Sequence, residues 1–136
     1  MYLEQLAALE PVRVAALVNL TTQLDLTAGP GGSRMAGSTE TIAVFRPVLE
    51  DVFPGEWLYA TVIALYPSSQ LVGHVDRAVT AQRSHLPLQV NRGCWVFHDG
   101  AWQQLEAGQV YSMDPTLVHG AVNWGDAVRL HLIVDR

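Results

Sequence analysis

His74 and Asp76 stand two residues apart in the apolar run LVGHVD, and a second histidine, His119, follows in LVHGAVN near the chain end. In an extended strand, residues i and i+2 leave the same face, so the His74 imidazole and the Asp76 carboxylate can converge on one ion. Two histidines and one carboxylate on a β scaffold form the facial triad that suits non-heme iron(II), with positions left open for a bidentate co-substrate and dioxygen. The His-x-Asp triplet alone is a weak signal, because short motifs recur by chance and a strand histidine is more often a hydrogen-bonded polar residue than a ligand. Arg129, ten residues after His119, strengthens it. If the strands on either side of Trp124-Gly125-Asp126 pair as a hairpin, its guanidinium enters the same cavity as His119. A buried arginine needs an anion, and its planar donors suit a carboxylate. The competing reading pairs Arg129 with Asp126 or Asp135 at the surface.

These residues need a β framework, and the chain from residue 57 onward supplies one. WLYATVIALY, LVGHVD, HLPLQV, CWVFH, AWQQL, GQVYSM, LVHGAVN and VRLHLIVD are short β-rich runs broken by turn residues, with Asp99-Gly100 a strong two-residue hairpin signal. That texture predicts an antiparallel sandwich or barrel. The N-terminal third reads as helical: Leu3, Leu6 and Leu9 recur at helical spacing, and Pro11 suits the first position of a second stripe through Val14, Leu17, Val18, Thr21 and Leu24. Residues 27–38 are Gly/Ser-rich and predict a loop. TIAVFR at 41–46 predicts a strand from its β-branched content and from Pro47, followed by a short helix at PVLEDVF. One domain over residues 1–136 is expected, with 1–56 a helical and loop support region and 57–136 the β core.

Composition narrows the function classes. Hydrophobic residues make up 49% and charged residues 15%, enough for a packed core. Cys94 is the single cysteine, so no disulfide or cysteine-based zinc site can form within one chain. Eight basic residues against thirteen acidic ones, with the arginines scattered, disfavour nucleic acid as a partner. The N-terminus carries Glu4, Glu10 and Pro11 rather than a basic stretch ahead of an unbroken apolar run, and no segment reaches the length of a membrane helix. A soluble, cytoplasmic protein is expected.

In LYPSSQLVGHVD, RSHLPL and GQVYSMDPTLVHGAVNWGDAVRLHLIVD, spanning about residues 58–135, the sequence resembles the aspartyl/asparaginyl β-hydroxylase-like branch of the iron(II)- and 2-oxoglutarate-dependent oxygenases. The resemblance implies a mainly β chain with N-terminal helices, folded as a double-stranded β-helix (jelly-roll, cupin-like). It implies His74, Asp76 and His119 as iron ligands, although some β-hydroxylases lack the carboxylate. Arg129 takes the place of the arginine that grips the distal carboxylate of 2-oxoglutarate, and Arg83 and His85 that of an R-x-H pair near its other carboxylate. These two also share one face of an extended segment. The family often adds a small polar residue from the strand before the first histidine; here Thr61, Tyr66, Ser68 and Ser69 are the candidates. The implied reaction couples decarboxylation of 2-oxoglutarate to hydroxylation of an amino acid, free or within a peptide or protein.

Two other readings remain at this point. One is a non-catalytic jelly-roll module that binds a metal or carboxylate; the other is a cupin metalloenzyme that does not use 2-oxoglutarate. Arg129, Arg83 and His85 together weigh against both. His131, in step with Arg129, either lines the pocket or packs as a core histidine. His98, beside the Asp-Gly turn, is expected at the surface. Asn123 is expected to fix a turn by local hydrogen bonding.

Overall fold

Pro11 fixes where the first helix begins. In the computed structural model, which describes residues 4–76 and 82–136, Glu10 is extended (φ −64°, ψ 146°), as a residue before proline prefers. The first elements are β1 (Glu4–Ala8), α1 (Pro11–Leu20), β2 (Thr27–Ala28), β3 (Arg34–Met35) and α2 (Ser38–Val52). They are followed by β4 (Tyr59–Leu65), β5 (Ser69–His74), β6 (Arg83–Gln89), β7 (Cys94–His98) and β8 (Ala101–Gln103). The chain closes with β9 (Gln109–Met113), β10 (His119–Asn123) and β11 (Arg129–Asp135).

Three N-terminal expectations are corrected. Within the expected loop at 27–38, β2 and β3 pair with each other and β3 pairs with β4, because their backbone groups complete the edge of the sheet. Residues 4–8 form a strand, not a helix, because an antiparallel ladder to β9 meets their backbone groups and Pro11 confines the helix to the segment after it. Leu3 lies outside the described residues. TIAVFR is the first half of α2, not a strand, and PVLEDVF continues the same helix through Pro47. Thr41, Phe45, Val48 and Leu49 fall on one helical stripe and are buried, so packing outweighs both local β propensity and the roughly 3 kcal/mol that an internal proline costs.

The described strands make two antiparallel sheets, ordered β1-β9-β6-β11-β4-β3-β2 and β5-β10-β7-β8. This is a double-stranded β-helix, with a larger and a smaller sheet face to face. Beneath the larger sheet, Phe45, Leu49 and Phe53 pack against Val62, Leu86, Leu132 and Val134. The other face of that sheet, carrying Tyr59, Thr61, Ile63, Arg129, Ile133 and Asp135, lines a cavity of about 650 Å³. β7 and β8 are joined by Asp99-Gly100 with both φ positive (47° and 86°), the backbone that this dipeptide favours. No helix among the described residues is long and apolar enough to cross a membrane.

The hairpin expected between the His119 and Arg129 strands does not form. β10 pairs with β5 and β7, whereas β11 pairs with β4 and β6, so the chain crosses between sheets after residue 123. Asn123 holds that crossing. Its side-chain amide donates to the Leu65 and Ala127 carbonyls at 2.8 and 2.9 Å, and its oxygen accepts from Gly125 N at 3.1 Å.

Candidate metal centre

His74 ends β5 and His119 begins β10, directly opposite each other in the ladder, so their rings lie 4.3 Å apart between centroids. Asp76 lies just beyond β5, where its backbone N–H donates to the Pro115 carbonyl at 2.8 Å. The carboxylate stands 3.2 Å from His119 Nε2 and 3.8 Å from His74 Nε2. One ligand atom from each of the three residues falls within 4.8 Å of the others. Cis ligands about 2.1 Å from an octahedral ion lie about 3 Å apart, so only a small inward adjustment closes the set on a metal.

The histidine backbones prepare these nitrogens. His74 Nδ1 lies 2.7 Å from the Val72 carbonyl and His119 Nδ1 2.8 Å from the Leu117 carbonyl. Each Nδ1 must carry the proton to donate, which leaves the Nε2 lone pair turned towards Asp76. His119 Nε2 is buried with no hydrogen-bond partner among the described residues. Burial lowers the His119 pKa and keeps the ring neutral, the state a ligand needs. Burial pushes the Asp76 pKa up, but the hydrogen bond and charge of Arg83, with His119 and His74, outweigh it and hold the carboxyl below its ordinary value.

Arg129 lines the same cavity from the facing sheet and is 2% exposed. Neither Asp126 nor Asp135 pairs with it, and among the described residues no hydrogen bond or salt bridge reaches its guanidinium; its Nε is a buried donor without a partner. Burial lowers its pKa to about 10, so it remains a cation at neutral pH. A buried cation facing an open cavity is a site for an anion.

Arg83 and His85 also reach the cavity, in different circumstances. Arg83 is committed to two carboxylates, donating from Nε and Nη2 to Asp135 at 2.8 and 3.0 Å and from Nη1 to Asp76 at 2.5 Å. His85 is buried, its Nδ1 lies 3.3 Å from His131 Nδ1, and its Nε2 has no partner. His131 is 1% exposed and meets the site through His85. Of the four polar candidates before His74, Thr61 lines the cavity, with its hydroxyl donating to the Ala36 carbonyl at 2.7 Å. His98 is buried rather than at the surface, because its Nε2 meets the Asp114 carbonyl at 3.1 Å beneath the turn. Asp135 is the site residue that sequence reasoning missed. Its strand parity with Arg129 was the available signal, since residues 129, 131, 133 and 135 share one face.

The family model described as Aspartyl/Asparaginyl beta-hydroxylase matches residues 32–136. No curated protein matches the chain. Among solved structures, HygX from Streptomyces hygroscopicus with nickel and 2-oxoglutarate bound aligns with a TM-score of 0.80 at 11% identity, over 98% of this chain and 81% of that one. The collagen prolyl hydroxylase of Paramecium bursaria chlorella virus 1, a 2-oxoglutarate complex, aligns with a TM-score of 0.70 at 11% identity, over 99% and 95%. An RmlC-like cupin from Shewanella frigidimarina aligns with a TM-score of 0.55 at 19% identity, over 84% and 85%. At these identities the likeness is one of fold.

Proposed function

The chain belongs to the aspartyl/asparaginyl β-hydroxylase family, the 2-oxoglutarate- and iron(II)-dependent hydroxylases, and we propose that His74, Asp76 and His119 hold its iron while Arg129 anchors the co-substrate. The single observation that carries this reading is Arg129: a buried cation, unpaired among the described residues, in the same cavity as a His/Asp/His cluster. A metal-binding module or a metalloenzyme without a dicarboxylate co-substrate has no use for that cation.

Each group contributes a separate task. The two Nε2 atoms and the Asp76 carboxylate offer two neutral donors and one charge, a donor set suited to iron(II). Arg129 pairs with the far carboxylate of 2-oxoglutarate, and His85 Nε2 offers a further polar contact. Leu71, Val96, Met113 and Ile133 give the cavity apolar walls. Iron bound there supplies the redox chemistry that couples decarboxylation of the keto acid to C–H hydroxylation. The substrate is an amino acid, free or within a peptide or protein, entering the same cavity.

Anaerobic addition of iron(II) and then 2-oxoglutarate, followed by visible spectroscopy, tests the assignment without a substrate. A weak charge-transfer band that requires both additions and is lost in His119→Ala is expected. Metal binding without that band would refute the reading.

A further inference from the structure

Arg83 opens β6 with its side chain 12% exposed, and Asp135 closes β11 with its side chain 5% exposed. Burying such a pair costs desolvation, and apolar residues would fill the space at least as well. The pair therefore needs a purpose at this position. Its geometry separates Arg83 from Arg129. The Nε/Nη2 edge of Arg83 is occupied by both Asp135 oxygens, and Nη1 is spent on Asp76 Oδ2, whereas the Arg129 fork has no protein anion among the described residues. A fork already engaged on two sides is a poor receptor for a third carboxylate. It is, however, a rigid bridge between the end of β11 and the carboxylate beside His74 and His119.

We propose that Arg83, held in place by Asp135, is a positioning residue for Asp76 rather than a co-substrate contact. Nη1 holds Asp76 Oδ2, which lies 3.2 Å from His119 Nε2, and so fixes the carboxylate with Oδ1 free of protein donors among the described residues and facing His74 Nε2 at 3.8 Å, presented to an ion at the centre of the cluster. Asp135 restrains the bridge. By occupying the Nε/Nη2 edge it prevents Arg83 from closing bidentately on Asp76 and taking both oxygens away from the metal. The inference rests on the assignment of His74, Asp76 and His119 as ligands.

Cobalt(II) is the probe, because its visible spectrum reports ligand geometry without turnover. Titration of apo-protein gives metal affinity, and titration of the cobalt-loaded protein with 2-oxoglutarate gives co-substrate affinity separately. Asp135→Asn keeps the shape and removes the restraint; Arg83→Lys keeps the charge and removes the bridge. Each variant is expected to lose about ten-fold or more in cobalt affinity, with an altered spectrum, while its 2-oxoglutarate affinity at saturating cobalt stays within about three-fold of wild type. Wild-type cobalt affinity and spectrum in both variants would overturn the inference, whether or not their melting temperatures fall. So would a loss of 2-oxoglutarate affinity with cobalt binding intact, which would make Arg83 a co-substrate contact after all. Cobalt binding that survives His119→Ala would instead remove the metal assignment, and this inference with it.

Discussion

Replacing Arg129 with methionine should make the ligand-free protein more stable and the co-substrate unable to stabilise it. The magnitude follows from the burial of the guanidinium. Burial pulls the guanidinium pKa down to about 10, a more than hundredfold loss of proton affinity; at about 1.4 kcal/mol per tenfold, the protonated side chain costs the ligand-free fold about 3 kcal/mol. The sign is that of a cation whose folded-state pKa is depressed. The cost is fully present at every pH below about 10 and is relieved only as pH rises from there towards the ordinary arginine value. Methionine matches arginine's unbranched stem without its charge, so Arg129→Met should raise the melting temperature by roughly 10 °C for a chain of this size. Wild type recovers the deficit by binding. At a hundred-fold excess over its dissociation constant, 2-oxoglutarate adds about 2.7 kcal/mol to a fold that binds it. Thermal melts by circular dichroism of both anaerobic, iron-loaded proteins, with and without 2-oxoglutarate, provide the assay. A variant that melts below wild type without co-substrate, or that 2-oxoglutarate stabilises as much as wild type, would refute the reasoning.

Two further outcomes follow from the same cavity. Burial first, and the Arg129 charge next, hold His85 and His131 well below 6.5, so both rings stay neutral in the fold while the unfolded chain gains protons as pH falls through 6.5. Stability should be intact above that pH and fall below it by up to about 1.4 kcal/mol per pH unit for each ring; urea unfolding should show the slope shrinking in His131→Leu, and an unchanged slope would count against it. A Cβ on Gly120 would stand 2.6 Å from the Leu71 carbonyl oxygen and 3.2 Å from Gly73 N, forcing β5 away from β10 and His74 away from His119. Gly120→Ala should therefore bind cobalt(II) roughly ten- to a hundred-fold more weakly, and a folded variant with wild-type affinity would show that the pairing does not set the ligand distance.

The face of each site strand was legible in the sequence, but its partner was not. Period-two alternation put Arg129 with His131 on a shared face, and the Asp99-Gly100 turn identified the β7–β8 hairpin; Asp76 reaches His74 from just beyond the end of β5, not from the strand face that alternation implied. Alternation carries no information on which strand lies alongside, so two neighbouring runs joined by Trp124-Gly125-Asp126 read as a hairpin although they belong to opposite sheets. The turn that diverts the chain depends on a contact distant in sequence: a Cβ on Gly93 would fall 2.1 Å from Gly125 N. The misread segment at 41–46 has a related cause. Its β-branched residues are local, whereas the core that makes it a helix, against Val62, Leu86 and Leu132, is assembled from strands far along the chain.

On the proposed assignment, the inward face of β11 bears on both ends of a dicarboxylate, directly through Arg129 at one end and through Arg83 and Asp76 at the other. Arg129 stands at its start without a counter-charge, and Asp135 at its end is neutralised by Arg83, which in turn meets Asp76 of the ligand cluster. Between them, His131 is held neutral by burial and Ile133 is apolar. An entering dicarboxylate therefore finds one unpaired cation at the far end and, at the near end, a cluster whose own anion is already balanced until a metal arrives. Removing the charge at either end would remove that polarity. Arg129→Met abolishes the anchor, and Asp135→Asn lets Arg83 compete for the ligand carboxylate. The two substitutions act on opposite ends of the same strand, so their effects on 2-oxoglutarate and on metal affinity should separate cleanly. Loss of both affinities in either single variant would mean that the two ends do not work as independent sites.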